Sequence, residues 1–127
     1  MNISKAAKHC GLPVKTIRHY EDIGLVPTDR RPNGYRDYDD SHVHKLKFVQ
    51  RARSLGFSID ECRSLLSLYE DRHRASSDVK AIAEAKMVQI DQKLAELKGL
   101  RDTLSTLVAA CHGDERPDCP ILNDLAG

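Results

Sequence analysis

Ser4-Lys5-Ala6-Ala7-Lys8-His9-Cys10-Gly11-Leu12-Pro13-Val14-Lys15-Thr16-Ile17-Arg18-His19-Tyr20-Glu21 reads as two short helices around a tight turn. Ser4 is the expected cap of the first helix. Gly11 supplies the positive φ that a sharp break between helices uses. Pro13 suits the first turn of the second helix, where a missing N–H costs nothing. Val14, Ile17 and Tyr20 then recur at helical spacing, and Gly24 ends the segment. Helix, Gly-containing turn, helix is the pattern of a helix-turn-helix, so the expected fold class is mainly α.

Beyond this stretch the character changes. Leu25-Val26-Pro27 is extended, Asp29 to Gly34 is a turn cluster, and Tyr35-Arg36-Asp37-Tyr38 alternates. Asn33-Gly34 between short extended runs is a hairpin signal, which predicts a small β-wing. Asp40 or Ser41 is the expected cap of a third helix that runs to about Leu55, with Val43, Leu46, Phe48, Val49 and Ala52 as its apolar stripe. Ser58 followed by Glu61 is a capping box and opens a fourth helix through Leu65, Leu66 and Leu68 to about Tyr69.

From Ser76 to Ala110 there is no Pro, and the only Gly is Gly99. Val79, Ala83, Met87, Ile90, Leu94, Leu97, Leu100, Leu104 and Leu107 alternate spacings of three and four, with one slip near Gly99. That is a coiled-coil seam on a single helix. The rest of the chain is too short to cover it, so pairing with a second copy is preferred over folding back. The tail reads as a loop between Cys111 and Cys119, then about two turns of helix from Pro120. The expected organisation is a DNA-binding module with connector over 1–74, a dimerisation helix over 75–110, and a cysteine loop with a short helix over 111–127.

Composition agrees with this division. The 127 residues carry a net charge of +1, which excludes a chain basic throughout. Split at residue 74, the halves carry +4 and −3, so the balance hides a basic module and an acidic remainder. The longest apolar run, Leu107 to Cys111, falls far short of the ~18 residues that span a bilayer. No apolar signal region opens the chain. Four cysteines without export point to a reducing, cytoplasmic setting. No Ser/His/Asp arrangement or Gly-rich phosphate loop is present, and the Cys-x-x-Cys of a thiol redox enzyme is absent, so no enzyme is expected.

Two constellations carry chemistry. Lys15, Thr16, Arg18, His19 and Tyr20 stand near the N-terminal and central turns of the second helix, the part of a recognition helix that meets base edges and phosphates. The wing adds Arg30, Arg31, Tyr35 and Arg36, and the third helix adds Lys45, Lys47, Arg51 and Arg53. Cations on consecutive elements suit double-stranded DNA. In the tail, Gly113 and Pro117 let Cys111 and Cys119 turn toward each other. Two thiolates suit a soft ion such as Cu(I) or Ag(I) in linear coordination. Spacing alone does not exclude Zn(II) with help from His112 and Asp118, a redox disulfide, or two unrelated thiols. Cys10 and Cys62 read as small buried residues. A cytosolic metal carrier would use the two thiols, but it has no use for the cations of the helix and wing.

Met1-Asn2-Ile3-Ser4, Gly11-Leu12, Ile17-Arg18-His19-Tyr20-Glu21, Gly24-Leu25-Val26, Asn33-Gly34-Tyr35-Arg36 and Ala52-Arg53-Ser54-Leu55-Gly56-Phe57-Ser58 resemble the MerR family of bacterial transcription regulators. The likeness runs nearly the whole length. The tail from Ala110 to Ile121 resembles its copper-responsive branch, the CueR or HmrR type. The resemblance implies a winged helix-turn-helix dimer joined by an antiparallel coiled coil, with each cysteine loop closed over by the other subunit. It implies a promoter whose spacer is too long for RNA polymerase, and a metal-bound form that bends and untwists it to start transcription. By motif it carries DNA contacts to Lys15, Arg18, Tyr20, Tyr35, Arg36 and Arg53, and metal ligation by Cu(I), Ag(I) or Au(I) to Cys111 and Cys119. It also marks Ser76, ahead of Ser77-Asp78-Val79-Lys80, as a selectivity residue, because branches that sense divalent ions carry a cysteine there.

Overall fold

The computed structural model describes residues 1–30 and 36–127. In chain order these form α1 (Ile3–Cys10), α2 (Val14–Asp22), β1 (Asp29–Arg30), β2 (Arg36–Asp37), α3 (Asp40–Ser54), α4 (Ile59–Glu70), α5 (Ser76–Ala110) and α6 (Pro120–Ala126). The chain is mainly helical and divides into two compact units, Met1–Ala83 and Glu84–Gly127.

In the first unit, the helix starts follow local capping chemistry. Asn2, not Ser4, caps α1: its extended backbone lets Oδ1 accept the Lys5 amide at 2.9 Å, while Ser4 falls inside the helix. Gly11 closes α1 in the left-handed conformation (φ 69°), donating to Ala7 O at 2.9 Å. Pro13 stands at the cap of α2, immediately before its first turn. The cap of α3 is Asp39, one residue earlier than the expected Asp40 or Ser41. It wins because His42 completes a reciprocal box with it: Asp39 Oδ1 accepts the His42 amide, and His42 Nδ1 accepts the Asp39 amide. The Ser58–Glu61 box at the start of α4 forms as expected, with bonds of 3.1 and 2.8 Å.

The core gathers on α3. Val43, Leu46, Val49 and Ala52 lie along one stripe, against Ala6 and Cys10 of α1, Ile17 and Tyr20 of α2, and Cys62 and Leu66 of α4. Leu25, Val26 and Tyr38 complete it. Cys10 and Cys62 are buried free thiols, as expected. Phe48 is half-buried, its ring 5.2 Å from that of Tyr69. The largest fully buried side chain is Tyr38, which alternation alone assigned to the wing. It leaves β2 and turns inward, while its amide and carbonyl bond Met1 at 2.8 and 2.6 Å. The wing itself is a two-residue antiparallel ladder, Asp29 opposite Asp37 and Arg30 opposite Arg36. The expected Asn33-Gly34 turn lies outside the described residues.

Helix α5 runs unbroken over the 35 residues expected for it. In the second unit it leaves its seam to solvent: Leu94, Leu97, Leu100 and Leu104 are each more than half exposed. After α5, residues 111–119 loop to α6, which opens at Pro120 as expected. No helix among the described residues is long and apolar enough to cross a membrane.

Candidate functional site

Helix α2 has two faces because its sequence alternates at helical spacing. Ile17 and Tyr20 face the core at 1% and 6% exposure, while Lys15, Arg18 and His19 are exposed and Thr16 is half-buried. Pro13 has no side chain able to cap the first turn. The Thr16 amide turns back onto Pro13 O at 3.0 Å, which leaves the amides ahead of it without a side-chain cap, and with the helix dipole they favour an anion at this end.

Lys15, Thr16, His19, Tyr20, Arg53 and Ile59 line one shallow concavity of about 320 Å³. Four of the nine expected DNA-contact residues thus converge from α2 and from the last turn of α3. Arg53 is fixed there, since its Nη1 donates to Phe57 O at 2.9 Å. The remaining guanidinium donors are aimed by that bond, and the lining includes no carboxylate. Tyr20 is chiefly a core residue that reaches the lining. Arg18 is exposed on α2 outside this concavity. Arg31 and Tyr35 lie outside the described residues, as do the side chains of Arg30 and Arg36. Of the α3 cations, Lys45 pairs with Glu70 at 2.9 Å and so serves the packing of α3 on α4.

Arg63 was not singled out from sequence. Its guanidinium spans from α4 to the end of α2, donating to Gly24 O at 3.3 Å and Ile23 O at 3.1 Å. The partners are 39 and 40 residues away in the chain, and no local pattern encodes such a contact.

In the second unit, Cys111 follows the last turn of α5 and Cys119 immediately precedes α6. Both are free thiols and partly exposed. Gly113 takes positive φ (65°), which lets the loop reverse. Asp114 braces the loop, accepting from the Arg116 amide at 2.9 Å and from Arg116 Nε at 3.1 Å. The Cys119 thiol is held below its ordinary value, first by the Leu122 amide, then by the Ile121 amide and by the Cys111 side chain. These amides belong to the first turn of α6, which starts immediately after Cys119. The loop thus sets Cys119 at the start of α6 within interacting range of Cys111, with its thiol held below the ordinary value.

This donor set fits a soft ion. Two sulfurs meet the preference of a monovalent coinage-metal ion for two-coordination, and thiolate is the ligating form. Among the described residues no group of three or more His, Cys, Asp or Glu is placed to hold an ion, as a four-ligand Zn(II) site would need. His112 and Asp118 do line a concavity beside the loop, together with Asp114 and Arg116. Ser76 is exposed as the first residue of α5.

Two family models match the chain: MerR HTH family regulatory protein over residues 1–68, and MerR, DNA binding, over residues 43–107. A transcriptional regulator named HmrR from Rhizobium leguminosarum bv. viciae is 60% identical over 126 residues, covering 99% of this chain and 98% of that protein. Heavy metal-dependent transcription regulator 2 of Rhizobium meliloti (strain 1021) is 49% identical, over 99% of this chain and 86% of its own length. The crystal structure of the transcription regulator PbrR691 from Ralstonia metallidurans CH34, in complex with lead(II), superposes with a TM-score of 0.84. It is 34% identical, and 98% of each chain is covered.

Proposed function

The chain belongs to the MerR family of helix-turn-helix regulatory proteins, DNA-binding regulators rather than enzymes, and from that premise we propose a metal-responsive activator that acts on promoter DNA as a homodimer. The observation that carries the proposal is the pair of free thiols, Cys111 and Cys119, set within interacting range of each other by a braced loop in a chain whose other unit presents a cationic concavity.

Lys15, Thr16 and Arg18 on α2, with Arg53 behind them, meet phosphates and base edges of the major groove. Arg30, Arg31, Tyr35 and Arg36 of the wing follow the flanking backbone. Tyr20 supports this face chiefly from the core. The exposed seam of α5, Met87 through Leu104, pairs with the same seam of a second copy as an antiparallel coiled coil. Cys111 and Cys119 hold Cu(I), with Ag(I) and Au(I) chemically equivalent. Held by Cys111 and Cys119, such an ion would tie the end of α5 to the start of α6 and would favour one of two dimer shapes on DNA, the one that distorts the promoter spacer so that RNA polymerase engages. The thiolate pair leaves one net negative charge in the loop, which the amides at the start of α6 offset.

A second reading, response to a divalent ion such as Zn(II), is favoured by the lead(II) complex of PbrR691 and by His112 and Asp118 beside the loop. Ser76 weighs against it, because an alcohol is a poor ligand where a third thiolate would complete the site.

The direct test is Cys111→Ser and Cys119→Ser in the full chain. Each variant keeps its duplex affinity and loses copper-dependent activation. Unchanged copper induction in either variant contradicts the assignment.

A further inference from the structure

We propose that Arg63 is a positioning residue for sequence readout: it fixes the C-terminal end of the recognition helix α2 against α4, and so sets how Lys15, Thr16 and Arg18 are presented to DNA. The inference rests on the DNA-binding reading given above.

The C-terminal end of α2 is acidic, with His19 as the basic residue of its last turn. Its last two residues, Glu21 and Asp22, are acidic and sit where the helix dipole is negative. The last turn of α2 holds no Lys or Arg. The following turn uses its amides within the segment, Gly24 N to Glu21 O at 3.0 Å and Leu25 N to Tyr20 O at 2.9 Å. The carbonyls of Ile23 and Gly24 point outward, and the Arg63 fork takes both. A planar guanidinium satisfies two acceptors in one fixed geometry, which an ammonium does not. Gly24 holds positive φ (71°), so the carbonyl that Arg63 grips sits on a sharply defined turn.

The other end of α2 is the reading end. A helix nine residues long acts as a short rigid rod, so a tilt at Gly24 moves Lys15 and Thr16 against the groove. Base contacts are lost by such a tilt more readily than phosphate contacts, because flexible cations follow a phosphate while paired hydrogen bonds to a base edge do not. Arg63 is therefore expected to govern discrimination, not general affinity.

The test uses the full chain with Arg63→Gln and Arg63→Lys. The specific probe is the duplex that the unaltered protein enriches from a randomised pool, and the reference probe is a scrambled duplex of equal length. Arg63→Gln lowers the specific-to-scrambled affinity ratio about tenfold, the order of one mismatched base pair, while scrambled-duplex affinity and salt slope stay unchanged. Arg63→Lys, with charge but no fork, recovers part of the ratio. An unchanged ratio in Arg63→Gln overturns the inference and leaves the DNA reading intact. Equal losses on both probes in both variants, with a lowered melting temperature, also overturn it, because Arg63 is then only a stabilising strut. An unaltered protein that enriches no sequence overturns the DNA reading and this inference with it.

Discussion

Asp39 accepts the His42 amide at 2.9 Å, and that amide is the main reason its carboxyl lies below the ordinary value of 3.8, with the His42 ring and the Ser41 amide adding to it. A carboxyl depressed in the folded state stabilises above its unfolded value. That contribution is lost as pH falls from about 3.8 through the lower folded value. Asp39→Asn keeps the capping oxygen and removes the charge, so the variant should lose less stability than the unaltered protein across that window. Melting temperature against pH for both chains checks it. Ser76 poses a different residue-scale question. Ser76→Cys should raise affinity for Zn(II) or Hg(II), measured by chelator competition under reducing conditions; unchanged affinity counts against its selectivity role. Single residues were unevenly legible in the sequence. Cys111 and Cys119 were visible because the intervening Gly and Pro announce a loop, and the burial of Cys10 and Cys62 followed from their helical surroundings. Arg63 and the inward turn of Tyr38 were not, since both depend on contacts between segments far apart in the chain.

At the scale of elements, periodicity and capping were enough for most boundaries. Helix α5 matches its expected span, and α4 opens on the Ser58–Glu61 box. Asn2 and Asp39 displaced the expected caps because capping is decided by which side chain reaches the third amide, and several neighbouring polar residues compete for that place. Ser58→Ala should cost about 1 kcal/mol of unfolding free energy by urea titration, with little change in m. The exposed leucines of α5 make a sharper prediction. Leu97→Glu with Leu100→Glu should convert the dimer to a monomer in analytical ultracentrifugation and weaken duplex binding, while far-ultraviolet dichroism stays helical. A dimer that survives both charges contradicts the coiled-coil pairing.

Over the whole molecule, the near-neutral charge resolves into a basic module of +4 and an acidic remainder of −3. The basic part gathers Lys15, Thr16 and Arg53 on one surface, and the acidic part contains the seam and the cysteine loop. Separating these tasks lets a metal loop change without disturbing the DNA face. On the proposed reading, the signal between them is a change of shape carried by the dimer, a property of two chains that no single-chain periodicity encodes. Transcription in vitro from the cognate promoter, with purified RNA polymerase and each ion supplied in turn under reducing conditions, tests this most directly. Cu(I) or Ag(I) should raise transcript while the protein stays on its operator, and Zn(II) or Pb(II) at equal free concentration should not. Activation by the divalent ions without Cu(I), or release of the protein from DNA by Cu(I), would contradict it.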